Sequence, residues 1–318
     1  VHLDCGLSYG LVRELVPGLS RERWASEFVA PPRCRDLVDL LRRIDRPLLL
    51  MQEEEALRRV TDDLFDQLRD DAVVYAEVRF APLLHTRNGL SPERVLDVVA
   101  RAAAEASRRT GVDHGLLVCT LRHFSREESL RTAEIAAGSG APNVVGFDLA
   151  GDEAGFSLDA HTGAFDLARE RGLGLTAHAG EARGAESVAE TLDRLRPSRI
   201  GHGVRSVQAP AVVTRLRESG VHLEVCPSSN VQTGVCEVLA DHPIEALRRA
   251  GVRLGVNTDG RTLCGVSLAD EYAGLARAFG WSEAEARESN RAAAEASFAP
   301  PEVKARVLTA VGTPPGRT

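Results

Sequence analysis

The chain has 318 residues, 43% of them apolar, and carries 46 acidic against 39 basic side chains for a formal charge of −7. That length suits one large α/β domain or two smaller ones with a sizeable core. No run of about 18 uninterrupted apolar residues calls for a membrane span, the N-terminus lacks the basic–apolar–small pattern of a secretory signal, and the acids and bases interleave without the basic stripe of a nucleic-acid binder.

Short apolar runs alternate with amphipathic stretches along the chain. The runs fall at residues 1–4, 73–80, 115–121, 144–149, 173–177, 199–201, 221–225 and 252–257. Segments such as 91–109, 158–171 and 244–250 between them have helical periodicity. Strands alternating with helices predict parallel βα units, and eight units over about 250 residues predict a (β/α)₈ TIM barrel. We read residues 1–318 as a single barrel domain. Residues 7–56 form a helical insertion after the first strand, expected as a lid over the mouth. Residues 282–311 are expected as extra C-terminal helices on the outside, and 312–318 as a loose tail.

The six cysteines, Cys5, Cys34, Cys119, Cys226, Cys236 and Cys264, are scattered without a CxxC pair. They read as reduced thiols of a cytoplasmic protein rather than a disulfide framework. Cys119 and Cys226 lie in apolar runs and are expected in the core, whereas Cys5 is expected to face the site. Lys304 is the only lysine. Its position near the C-terminus leaves no barrel lysine for a Schiff base, a P-loop or a carbamylated bridge between two metals.

Polar residues gather where the runs stop: His2 and Asp4, Arg79, Arg122 and His123, Asp148 and Asp152, His178 and Glu181, His202, Ser228, and Asp259. In a barrel these ends converge on one mouth, where catalytic groups collect. Any one of them alone reads equally well as a helix cap or a satisfied core histidine. His2, His178 and Asp259, at the ends of the first, fifth and eighth runs, form a two-histidine, one-carboxylate set suited to a single Zn²⁺ with an open position for water. A histidine immediately before Val1 would complete a His-x-His pair on one side of a strand, and we expect one there. In Thr176-Ala177-His178-Ala179-Gly180-Glu181, the glycine permits a tight turn. Glu181, three residues past the expected ligand, can face the water without binding the metal and act as a general acid. His202, between Gly201 and Gly203, is expected to orient the water or stabilise charge during attack.

The ordered series VHLD at 1–4, AEVRFAP at 76–82, VVGFDLAGDE at 144–153, TAHAGEA at 176–182, RIGHGV at 199–204, CPSSNVQTG at 226–234, HPIEALRRAGVRLGVNTD at 242–259 and SLADEY at 267–272 resembles the adenosine deaminase family nearly end to end. The resemblance implies zinc on His2, His178 and Asp259. It implies protonation of purine N1 by Glu181 as water adds at C6, with His202 assisting the water. It also implies a backbone contact of Gly151 to purine N3 and a contact of Asp4 to the ribose 5′-hydroxyl. The implied reaction converts adenosine or 2′-deoxyadenosine to inosine or 2′-deoxyinosine and ammonia, so the expected partner is a small purine nucleoside, not a nucleic acid or membrane. Two positions depart from the family pattern. Cys5 stands where glycine is usual, and Gly260 stands where many members have an acid that contacts purine N7 and some bacterial members have Asn. Losing that contact would cost about 1–3 kcal/mol if the partner stays unsatisfied.

Three alternatives stand beside this reading. One is a deaminase of another 6-aminopurine, adenine or aminodeoxyfutalosine. Another is a different zinc hydrolase on the same barrel; the H-x-E and P-C-x-x-C signature of cytidine-type deaminases is missing. The last is a non-catalytic nucleoside-binding relative, against which Glu181 and His202 speak, since holding a ligand needs neither.

Overall fold

The computed structural model describes residues 1–312. Seven parallel strands follow one another in both sequence and space: β1 (Tyr75–Phe80), β2 (Asp113–Leu121), β3 (Val144–Ala150), β4 (Gly174–Ala179), β5 (Arg199–His202), β6 (His222–Val225) and β7 (Leu254–Val256). Each is joined to the next by helical chain, as parallel pairing requires. The strands are buried on both faces, so they read as apolar runs rather than as alternation.

The eighth place is filled differently from the strand expected at residues 1–4. His2 forms a single parallel bridge with Arg79. Around it, Arg79 N donates to Val1 O (2.9 Å) and Leu3 N to Arg79 O (2.9 Å), while His2 N donates to Asp259 O (3.0 Å) on the opposite side. This short segment therefore spans the gap between β1 and the chain leaving β7, and it carries His2 to the same end of the sheet as Asp259. β3 and β4 are the loosest neighbours, paired only at Gly146–Gly174 and Phe147–Leu175.

The outer helices form where the sequence supplies a stripe and caps. In Glu54–Asp70, Leu57, Val60, Thr61, Leu64, Phe65 and Leu68 recur every three or four residues and are buried. Pro92–Thr110 starts on Ser91, whose hydroxyl accepts from Arg94 N, and ends on Gly111 at φ 77°. Below the strands, the Phe298 ring packs against Gly146 and Gly174, where a Cβ at Gly174 would sit 2.3 Å from it. The Arg199 guanidinium stacks on the same ring, 3.6 Å from its centroid.

Residues 7–56 hold the short helices Tyr9–Leu15, Arg21–Phe28, Leu37–Leu41 and Asp45–Leu49 and the start of Glu54–Asp70. The two helices at 282–311 are Glu283–Ala296 and Pro301–Gly312. Gly312 belongs to the last of these, and the rest of the expected tail, 313–318, lies outside the described residues. All six cysteines are free, and all but Cys236 are buried. Among the described residues no helix is long and apolar enough to cross a membrane.

Candidate active site

The strand ends enclose a cavity of about 400 Å³. Its floor is made by His2, His178, Glu181, His202 and Asp259, its walls include Asp4, Cys5, Gly151 and Gly260, and its roof is apolar, from Leu37, Leu40, Leu41, Ile44 and Leu48. Residues 37–48 of segment 7–56 thus line this cavity. His2, Asp4, Gly151, His178, Glu181, His202 and Asp259, the residues given roles from the sequence, all line this one cavity.

His2 Nε2 lies 3.4 Å from His178 Nε2 and 3.4 Å from Asp259 Oδ1, and a donor atom from each of the three falls within 4.8 Å of the others. The tautomer of His178 is fixed by its surroundings. Its Nδ1 faces two acceptors, Asp148 Oδ1 at 3.2 Å and Leu149 O at 3.1 Å, so it carries the proton and leaves the Nε2 lone pair aimed at the cluster. Burial drives the His2 pKa down to about 3, which keeps that imidazole neutral. Asp259 is held in the ionised form: burial works against it, but His2, His202 and His178 outweigh burial and Ser229 Oγ donates at 2.8 Å. Two imidazole nitrogens and a carboxylate oxygen this close together fit a divalent metal, and zinc suits that N/O set. A second grouping, His202, Cys226 and Asp259, shares the aspartate. Cys226 turns its thiol to Glu224 O (3.5 Å), and burial pushes its pKa well up, away from the thiolate a metal needs.

Glu181 is buried beside this cluster. Its Oε2 is 3.4 Å from His202 Nε2, and its Oε1 has no partner among the described residues. Burial and then Asp259 raise its pKa, against the pull of His202. The turn that carries it is pinned by Glu153, whose carboxylate accepts from the backbone N–H of Gly180 (2.6 Å), Glu181 (3.0 Å), Ala182 (2.6 Å) and Arg183 (3.0 Å) and from Ser187 Oγ (2.5 Å). Burial opposes ionisation of Glu153, yet these donors hold its pKa below the usual value. His202 and Asp259 adopt φ of 60° and 58°. Such left-handed backbone costs a non-glycine residue on the order of 1–3 kcal/mol and is typical of functional positions.

Behind His178 runs a buried charge chain. Asp148, fully buried, binds Arg79 Nη1 at 3.1 Å; Arg79 Nη2 binds Glu224 Oε2 at 2.5 Å; Arg199 then bridges Glu224 Oε1 (2.7 Å) and Glu77 Oε2 (2.5 Å). Burial would raise the Asp148 pKa, but His178 and Arg79 hold it far below the carboxylate range. Arg79 and Asp148 stand at strand ends in the sequence with no role to be read from it, and Glu153, Ser229 and Asn230 are not legible there as site residues. At the end of β6 the residue that reaches the cluster is Ser229; Ser228, the one expected, is tied to Glu271 instead.

Asp4 is buried, and among the described residues the only side chain bonded to its carboxylate is the weak donor Cys5 Sγ, at 3.8 Å. Burial lifts its pKa to about 6. Gly151 lines the cavity at φ 99°, a conformation that suits glycine. Gly260, at φ −101°, has no such backbone need. A Cβ there would stand 2.5 Å from Cys5 Cβ and 3.2 Å from Leu263 Cβ.

The sequence profile of the family described as adenosine deaminase matches residues 13–314. A protein from Rhizobium leguminosarum bv. trifolii named adenine deaminase is 39% identical over 273 residues, 86% of this chain and 85% of that one. One from Clostridium acetobutylicum named adenosine deaminase is 34% identical over 314 residues, 96% of this chain and 94% of that one. The crystal structure of an adenine deaminase from Arthrobacter aurescens superposes with a TM-score of 0.90 at 28% identity, covering 98% of this chain and 96% of that one. The seven-stranded parallel sheet, the cavity at its strand ends and these similarities agree: the chain belongs to the adenosine deaminase family.

Proposed function

We propose that this protein hydrolyses the 6-amino group of a purine, with adenosine or 2′-deoxyadenosine as the preferred substrate and inosine or 2′-deoxyinosine plus ammonia as products. The observation that carries this reading is the meeting, in one cavity, of the His2–His178–Asp259 donor set and the unpartnered Oε1 of Glu181. His2, His178 and Asp259 would hold one zinc ion, which when bound supplies the Lewis acidity that makes water nucleophilic near neutral pH. Glu181, whose environment favours the protonated form, delivers its proton to ring N1, so C6 accepts the water oxygen without charge building up on the ring. His202 faces the same space and orients the incoming water. Glu153 keeps the Glu181 turn from moving, and the backbone of Gly151, in the cavity wall, is the group assigned to the edge of the base. The water oxygen bonds to C6 as the water gives up one proton, which passes to the amino nitrogen; the C6–N bond breaks to release ammonia, and the remaining hydroxyl proton returns to the Glu181 carboxylate as the C6 carbonyl forms.

Asp4 supports a nucleoside over a free base. A buried carboxylate whose only side-chain partner is a thiol gains a proper donor when a ribose hydroxyl enters. Free adenine is the second reading, supported by the similarity to several proteins named adenine deaminase, among them those of Rhizobium leguminosarum and Agrobacterium fabrum. Initial rates with zinc present, measured side by side on adenosine, 2′-deoxyadenosine, adenine and aminodeoxyfutalosine, test the proposal. A kcat/KM for the nucleosides well above that for adenine supports it, the reverse order moves the substrate to the base, and silence on all four in zinc-loaded protein overturns it.

A further inference from the structure

The stretch beginning at His242 belongs to the sequence pattern of the chain but has no part in the chemistry above, and the structure gives it one. His242 is buried on the far side of Asn230 from the cavity. The backbone N–H of Ile244 donates to His242 Nδ1 at 3.1 Å. A backbone amide can only donate, so Nδ1 is an acceptor, the ring is neutral and its proton sits on Nε2. Burial agrees, pushing the His242 pKa down to about 3. That Nε2–H points at the Asn230 amide, 3.1 Å from Oδ1, which therefore accepts. The other end of the same amide, Nδ2, lies 3.1 Å from His202 Nδ1 and can only donate. His202 Nδ1 is thereby an acceptor, and the ring proton is left on Nε2, the nitrogen 3.4 Å from Glu181 Oε2 and 4.0 Å from Asp259 Oδ2. His202, Asn230 and His242 are all at least 97% buried.

We propose that His242 and Asn230 are positioning residues that act as a one-way relay, fixing His202 in the tautomer that presents Nε2–H to the cavity. The direction is set by a backbone amide, so it cannot reverse without breaking the bond at Ile244. The alternative tautomer would turn a lone pair on the incoming water, making His202 a base rather than a donor. The functional consequence rests on the role proposed for His202; the relay itself does not.

The test is a long-range proton–nitrogen NMR experiment on the whole protein at neutral pH, with ring nitrogens assigned by comparison with His202→Gln, alongside steady-state kinetics. In the unmodified protein His202 Nδ1 is expected to give an unprotonated, pyridine-type shift and Nε2 a protonated, pyrrole-type shift. Asn230→Asp is isosteric and can only accept, so it should move a proton onto Nδ1 and lower kcat by about 10²-fold or more, with KM little changed. His242→Gln keeps a donor towards Asn230 and should preserve the original tautomer; His242→Leu removes it and should lose the single defined state. A protonated Nδ1 in the unmodified protein, or an unchanged tautomer in Asn230→Asp, overturns the relay. If the nitrogen shifts behave as expected while no aminopurine is turned over, the relay stands and the proposed function fails.

Discussion

Cys5 and Gly260 occupy one another's space: a Cβ on Gly260 would lie 2.5 Å from Cys5 Cβ, and both residues line the cavity beside Asp4 and Asp259. In the sequence these looked like two separate departures from the family pattern. In the fold they are one exchange, in which the side chain comes from position 5 and its absence falls at position 260. That part of the cavity wall is then a neutral thiol, kept protonated by burial. Gly260→Ala should destabilise the protein by about 1–3 kcal/mol through overpacking, and most of that cost should vanish in a Cys5→Gly background. A double-mutant cycle in urea measures the coupling; additive effects would show that the two positions are independent. The same four proteins, assayed on adenosine and adenine, report whether this wall sets the preference between them.

Glu181→Gln should leave metal content and unfolding midpoint near those of the unmodified protein while reducing kcat by about 10²–10⁴-fold, because an amide has no proton to give. The checks are zinc analysis, thermal melts and turnover on the preferred substrate. Near-normal turnover would remove Glu181 from the proton transfer.

The eight apolar runs were legible because strands buried on both faces leave little else to read. The run at 1–4 is apolar like the others but pairs through a single bridge. His178 and Glu181 were legible because one turn holds both. Glu153 was not, because its partners lie 27 to 34 residues further on and only the fold brings its carboxylate to those N–H groups. Ser229 was missed by one position for a local reason: the helix Pro227–Gln232 starts directly after β6, so strand alternation no longer says which serine faces inward. His242 and Asn230 stand in stretches of the family pattern, but nothing in the sequence gives them a role, since a relay is defined by who donates to whom.

Glu153→Gln should be felt both in stability and in rate. One carboxylate oxygen becomes a donor facing N–H groups, leaving buried donors unsatisfied at about 1–3 kcal/mol. The turn bearing Glu181 loosens with it. We expect a lowered urea midpoint and a fall in kcat larger than any change in metal affinity. An unaltered kcat in the folded variant would confine Glu153 to stability.

Chelation should abolish turnover and lower the melting temperature, with both restored by zinc, since a ligand that binds only the native state stabilises it. Asp259→Ala should lose the metal, whereas Asp148→Asn, acting through His178 Nδ1, should weaken its affinity by about 10–100-fold. Competition with a chromophoric chelator separates the two. Full zinc retention in Asp259→Ala would contradict its role as a ligand.

Stability of the metal-free protein should fall in mild acid. Burial lowers the pKa of His85, His114 and His161 to about 4 and of His222 and His242 to about 3, whereas in the unfolded chain a histidine titrates near about 6.5. Above that value both states are neutral and these groups contribute no pH dependence. As the pH drops through it, the unfolded chain takes up protons that the native state refuses, so stability is lost progressively down to pH 4 and below. Each such group contributes a slope of up to about 1.4 kcal/mol per pH unit. Glu271 runs the other way. Burial raises its pKa to about 7, so between the ordinary carboxylate range and 7 the native state holds a proton the unfolded chain has released. Burial raises the pKa of Asp4 to about 6 and raises those of Asp63 and Glu181 as well, so four carboxyls oppose five histidines, and the balance still favours loss of stability in acid. Urea unfolding of chelated protein at pH 7, 6 and 5 should therefore show stability rising with pH. His161→Gln, which removes one of the five and keeps a side chain able to meet Ser129 Oγ and Arg122 O, should flatten the slope by up to one proton. A flat profile between pH 7 and 5 would mean that these histidines are not buried as neutral rings.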